Sequence, residues 1–331
     1  MKYYARRLAF YAITLWVAIS LNFLLPRLMP GNPADILIAK LQQRGEVPIS
    51  TINNIRLLLG SDEGVPLWDQ YVGYWGRLLQ GDLGISFSKF PAPVTELIAT
   101  ALPWTIVLVG LSTIISFVLG VGIGAWVGWK RGTWLDHLVP ATTVLQSIPY
   151  FWLALIMISI FSVTLGIFPI IGGYAVFDFP KGPELSWAFV GSAVHHGILP
   201  ALTIVLSSVG GWLLGMRNMM VSTLAEDYIV TAEAKGLTPR RIRNAYATRN
   251  AAIPSVAGFA ITLGFIVAGS IVMEQVFTYP GIGKLMFTAV QNNDYALMQG
   301  VFLVITLTVL AANLLMDLVY GFIDPRARHN V

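Results

Sequence analysis

Cysteine is absent from the 331 residues, which excludes disulfides, thiolate metal sites and cysteine nucleophiles. Charge is scarce as well: Asp, Glu, Lys and Arg make up 11% of the chain, against about 25% in an ordinary soluble domain. With 56% of its residues hydrophobic, the chain is composed for lipid. The formal charge of +4 is modest, and the basic residues gather in particular loops, a pattern of membrane topology rather than of nucleic-acid binding. Neither His-Glu-x-x-His nor Gly-x-Ser-x-Gly occurs, so the motifs expected of an intramembrane hydrolase are missing.

Long hydrophobic runs, by contrast, are abundant. Crossing the hydrocarbon core takes roughly 20 apolar residues, and six segments qualify, near 9–29, 101–128, 138–166, 198–219, 255–277 and 298–323. The first follows Lys2, Arg6 and Arg7 without a small-residue cleavage site, so residues 1–29 read as an uncleaved anchor helix. Six spans place both termini on one face. The N-terminus, the 129–136 and 217–254 loops and the 324–331 tail together hold 13 Lys and Arg, whereas the short loops opposite hold two, Lys181 and Lys284. That asymmetry makes the termini and the 217–254 loop cytoplasmic.

Residues 30–100 then form a long external segment. It contains an apolar helical patch over 52–59, aromatic-rich 68–75 and turn signals at 30–33 and 81–84, which predict a small packed subdomain. The second external loop, 168–197, carries glycines, prolines and aromatics; it either caps a vestibule or forms an interfacial belt with turns. Inside the spans, Gly120, Gly124 and Gly128, then Ser207, Gly211 and Gly215, then Ala260, Gly264 and Ala268, recur at helical spacing, the pattern of closely approaching membrane helices. The spans and their cytoplasmic loops form a five-helix core over 101–323.

The loop at 220–254 is polar and basic between two apolar runs. Helix formers extend from about Leu224 to Lys235 and stop at Gly236, with Pro239 three residues on, a helix C-terminal signal. Thr238 is placed to cap a second helix with Pro239 at its first position, extending to Ile253 before Pro254. The prediction is a helical hairpin standing out into the cytoplasm.

Thr231-Ala232-Glu233-Ala234-Lys235-Gly236, with Pro254 eighteen residues after the glycine, resembles the EAA loop of ABC importer permeases. Val230 stands where the general pattern has its glutamate and Thr231 where it has its first alanine, a departure similar to the oligopeptide, dipeptide and nickel subfamily. Segments 27–34, 80–86, 147–152, 199–203, 276–283 and 324–328 also resemble that subfamily, and the first span with its external segment resembles its B-type subunit. The resemblance implies an all-α polytopic fold of six transmembrane helices, the type I importer fold. It further implies a coupling helix that docks on an ATP-binding subunit, with Tyr228, Thr231, Ala232, Glu233, Ala234, Lys235, Gly236, Pro239 and Pro254 as the coupling set. The implied partners are a homologous C-type permease, two ATP-binding subunits and an extracytoplasmic binding protein, in a bacterial or archaeal cytoplasmic membrane. ATP and Mg would sit on the partner subunits, and no cofactor or metal on this chain; Gly281-Ile-Gly-Lys284 departs from a phosphate loop at Thr278 and Leu285.

Ionisable and aromatic residues near membrane depth supply pathway candidates. These are Glu274, at the end of the fifth span, with Trp212, Tyr150 and Phe265. Glu274 either lines an outer vestibule or pairs locally. Asp136, Arg217 and Asp317 lie toward the inner boundary, and His195-His196 reads as polar surface rather than a metal pair. An ion-coupled carrier would show inverted repeats and several mid-membrane charges, which this sequence lacks. Peptides, oligosaccharides and nickel chelates all remain open as cargo, in that order of preference.

Overall fold

The computed structural model describes residues 2–28, 33–43, 45–58, 65–134, 138–264, 266 and 271–323. Among them the chain is helical, with one isolated bridge between Ile85 and Pro93. Among the described residues, four helices are long and apolar enough to cross a membrane: stretches Arg6–Leu24, Val94–Trp129, Trp187–Leu224 and Tyr295–Leu314. They belong to α1 (Lys2–Leu28), α5 (Val94–Trp129), α8 (Trp187–Leu224) and α14 (Tyr295–Ile323).

The third predicted span is broken. α6 (Leu138–Ser147) and α7 (Tyr150–Met157) meet at a 95° bend, the geometry of either a broken span or a re-entrant pair. Pro149 lies in the break; it has no N–H to continue α6, while its carbonyl accepts the Trp152 N–H at 2.8 Å to start α7. Residues Ile158–Thr164 then wind more loosely, as a π-helical turn. The fifth predicted span is divided into α11 (Arg249–Gly264) and α12 (Ile271–Val276). Of the residues between them only Ile266 is described, and the Ala260, Gly264 and Ala268 stripe falls largely outside.

α5 and α8 form the spine. A side chain at Gly124 would strike the Leu213 carbonyl oxygen and stand 3.0 Å from Met216 Cβ; one at Gly128 would stand 2.6 Å from Met220 Cβ. These contacts bring the two backbones together, the role small residues play where lipid gives helices no hydrophobic drive to associate. On α8 the close approaches are at Gly210, whose Cβ would stand 2.9 Å from Thr142 Cβ, and at Gly211, 3.0 Å from Gln146 Nε2, whereas Gly215 faces open space. Hydroxyls inside α5 bond back to the preceding turn, Ser112 to Leu108 O at 2.6 Å and Ser116 to Ser112 O at 2.8 Å, so they add no unsatisfied group at membrane depth.

α8 also begins earlier than its predicted span. Ser186 caps it by accepting the Phe189 N–H at 3.2 Å, so 187–197 is helix rather than loop. The preceding segment packs by aromatic contacts, with Trp104 stacked on Tyr174 at 5.8 Å between centroids. Three shorter helices follow α1: α2 (Pro33–Gln42), α3 (Ile49–Leu58) and α4 (Leu67–Leu79). Ala34, Ile38 and Ile55 bury against Phe87, and α4 lies on the α1–α14 pair through Tyr74, Ile19, Phe23 and Leu303. Asn22 and Gln299 join that pair by reciprocal bonds, Nδ2 to Gln299 O at 2.7 Å and Nε2 to Asn22 O at 3.2 Å.

Candidate functional site

The hairpin begins with α9 (Asp227–Ala234). Gly236 adopts φ +71°, and its N–H donates to Glu233 O at 2.8 Å while the Leu237 N–H donates to Ala232 O at 3.3 Å. This pair of bonds is a Schellman closure, which satisfies the last carbonyls of the helix and needs a left-handed residue. The turn then enters α10 (Pro239–Arg241) with Pro239 at its first position. The Thr238 side chain makes no capping bond there; its carbonyl instead accepts the Arg241 N–H at 2.9 Å and the Ile242 N–H at 3.0 Å.

Two sequence expectations need correction. Pro254 does not end the second helix: a π-helical turn over Ile242–Thr248 leads into α11, and Pro254 lies within that helix. There it removes one intrahelical donor, and the helix continues past it. Nor does the hairpin stand free. Ile229, Ala232, Ile242, Ala247 and Ala251 bury against Ala125, Met216 and Met220 at the ends of α5 and α8.

The residues that the sequence resemblance singled out therefore divide into an anchored part and a displayed part. Ala232 is buried, while Tyr228, Thr231, Glu233, Ala234, Lys235, Gly236 and Pro239 are exposed. Asn250 Nδ2 donates to Tyr228 Oη at 3.1 Å and to Tyr246 O at 2.9 Å, tying the displayed face to the second arm. The hairpin thus presents a polar face carried on the two central helices.

The pathway candidates are scattered. Trp212 packs edge-on to Phe117 at 5.2 Å, and Phe117 stacks on Phe259 at 4.1 Å, making an aromatic cluster across α5, α8 and α11. Tyr150 is exposed at the start of α7. Phe265 and Asp136, and the side chain of Asp317, lie outside the described residues. Glu274 has no accessible surface in this chain. Its Oε1 accepts from Thr105 Oγ1 at 2.8 Å, and its Oε2 accepts the N–H groups of Gly283 at 2.7 Å and Lys284 at 3.1 Å. Glu274 is thereby enclosed by groups of its own chain and lines no open surface of it.

α13 (Ile282–Gln291) starts at those two donors. Lys284 turns its Nζ back to Thr278 O at 3.2 Å, and burial, then the Lys89 charge, holds its ammonium below the ordinary lysine value. His195 Nε2 and His196 Nδ1 are engaged by the backbone carbonyls of Ile167 at 2.9 Å and Ser192 at 2.8 Å.

Sequence reasoning missed a second buried carboxylate, Asp294. It caps α14 by accepting the Leu297 N–H at 3.1 Å, and takes three further donors from Ser86 and Ser88. An Asp directly before a long apolar run is a helix-start signal and could have revealed the cap. Nothing in the sequence announces Ser86 and Ser88, or Thr105.

Among the described residues, long apolar helices carry an anchored polar hairpin, the architecture of a multi-pass membrane protein. The family described as the binding-protein-dependent transport system inner membrane component matches residues 120–329. The chain is 34% identical to the di/tripeptide transport system permease protein of Pseudomonas aeruginosa, over 99% of both chains. It is 33% identical to the dipeptide transport system permease protein of Escherichia coli K12 over 99% of both, and 30% identical to the oligopeptide transport system permease protein of Bacillus subtilis over 93% of both. The chain belongs to the inner membrane component family of binding-protein-dependent transport systems.

Proposed function

We propose that the chain is the B-type permease subunit of an ATP-driven importer of short peptides. Relatives aligned over nearly the whole chain are named for di- and tripeptide, dipeptide and oligopeptide transport, which favours peptides over oligosaccharides and nickel chelates. The observation that carries the mechanism is the hairpin: a Schellman-closed helix, seated on the ends of α5 and α8, with its polar face exposed. Such an element transmits force because its base is packed while its face is free to be gripped. Tyr228, Thr231, Glu233 and Lys235 contact an ATP-binding subunit, and its closure re-aims the spine helices so that access alternates between the two faces.

The working complex in this reading contains this chain, a homologous C-type permease, two ATP-binding subunits that hold ATP and Mg, and a soluble binding protein outside. Six crossings place both termini in the cytoplasm, with the divided α11–α12 segment as the fifth, and residues 30–100 form an external subdomain. The test is reconstitution of the complex in proteoliposomes. Uptake of a labelled tripeptide should require ATP on the ATPase side and binding protein on the other, and should exceed uptake of a labelled trisaccharide. Uptake driven by an ion gradient without the ATPases would overturn the proposal in favour of a secondary carrier.

A further inference from the structure

The corner where α12 passes into α13 is held by three elements that meet on one carboxylate. Thr105, in the interior of α5, accepts the Ile282 N–H at 2.8 Å and donates to Glu274 Oε1 at 2.8 Å. Glu274, from α12, accepts the N–H groups of Gly283 and Lys284. Thr105 and Glu274 are both fully buried. The fit has no slack: a Cβ at Gly281 would collide with the Glu274 carboxylate, and one at Gly283 would stand 2.6 Å from Ile271 Cα.

A serine at 281 in place of this carboxylate would satisfy one of the α13 donors locally, as helix caps ordinarily do, without burying a charge. The chain instead buries a carboxylate, which is worthwhile only if every lone pair finds a donor. The difference between the two solutions is connectivity. A local cap ties α13 to nothing, whereas the Thr105–Glu274 relay ties it to α5 and α12. α13 is in turn packed between α5 and α14, with Ile282 and Met286 in one cluster with Ile98 and Val301.

We infer that Thr105 and Glu274 are positioning residues of the transport cycle: their relay locks α5, α12 and α13 into one body, so that movement of the spine helix carries the corner with it. The inference rests on the importer reading. Loss of the relay would let α5 respond to the ATPases while the corner lags, and hydrolysis would be spent without import.

The experiment compares Thr105→Val, which keeps the shape and removes the hydroxyl, with Thr105→Ser, which keeps the hydroxyl. Complete complexes with both ATPases, the second permease and binding protein are reconstituted, and labelled tripeptide imported per ATP hydrolysed is measured beside the melting temperature. The valine variant should import about fivefold less per ATP, as a coupling of the usual allosteric size would give, and serine should restore the wild-type ratio. A lowered melting temperature with an unchanged ratio would make the relay merely structural and overturn the inference, as would a serine variant as uncoupled as valine. If the valine complex does not assemble, Glu274→Gln, which keeps an acceptor for Gly283 and Lys284 but replaces the oxygen facing Thr105 with an NH2, is judged by the same ratio. Wild-type complex that imports nothing with ATP and binding protein would instead fail the importer reading, and the inference with it.

Discussion

The hydroxyl and the backbone N–H of Ser88 both donate to Oδ2 of Asp294, at 2.7 and 2.9 Å, across 206 residues of chain. Ser86 Oγ donates to the same oxygen. One carboxylate thus starts α14 and pins the segment before α5 to that start. Glu274 does the equivalent at the start of α13, so α13 and α14 each begin on a buried acid.

Asp294→Asn should loosen this attachment. An asparagine retains one acceptor oxygen, and whichever way it turns, its amide faces a donor, either Leu297 N–H or the serine group. A buried donor left without a partner costs about 1–3 kcal/mol. The purified variant should melt earlier, and protease should cut the 81–93 segment faster than in wild type. Unchanged melting and cleavage would mean that the serine contacts are not what fixes this segment.

Gly124→Ala and Gly122→Ala separate the packing role of glycine from its helical weakness. At Gly124 a Cβ meets the Leu213 carbonyl, whereas at Gly122 nothing lies within 4 Å. Overpacking of this kind costs about 1–3 kcal/mol, while an alanine in open space gains up to about 1 kcal/mol of helix propensity. Gly124→Ala should therefore lower the melting temperature and Gly122→Ala should leave it equal or higher. The reverse order would show that α5 and α8 do not meet on this face.

Much of this architecture was readable from local chemistry. Gly236 and Pro239 announced the hairpin turn because a left-handed residue and a fixed φ are local demands. Gly124 and Gly128 announced the helix crossing because lipid leaves small residues as the main device for approach. What was not legible depends on distance in the chain. Thr105 and Glu274 are 169 residues apart, and no local pattern states that they meet. Pro149 and Pro254 show a further limit: one breaks a helix and the other sits within one. Pro103 and Pro200 likewise lie inside α5 and α8, so a proline alone does not announce a helix end.

Reporter fusions test the orientation proposed from the basic loops. Fusions after Gln43 and Asp178 should be active outside, and fusions after Gly132 and Thr238 inside. A Thr238 fusion active only outside would separate the hairpin from any cytoplasmic ATPase.

Gly236→Val and Gly236→Asn test the hairpin as a coupling element. The space around Gly236 is open, so the effect of a side chain is conformational rather than steric. At φ +71° a residue with a β-carbon is disfavoured by about 1 kcal/mol, and a β-branched one by more, whereas asparagine adopts this region readily. Such a penalty is too small to unfold a bundle anchored by Ile229, Ala232 and Ile242, but it disrupts the closure that aims α9. The valine variant should reach the membrane at wild-type levels and lose most ATPase co-purification and uptake; the asparagine variant should keep both. Glu233→Lys, which reverses charge on the exposed side of the same helix, should match valine in uptake while leaving the turn intact. Wild-type uptake by both the valine and the lysine variants would mean that force enters this permease elsewhere.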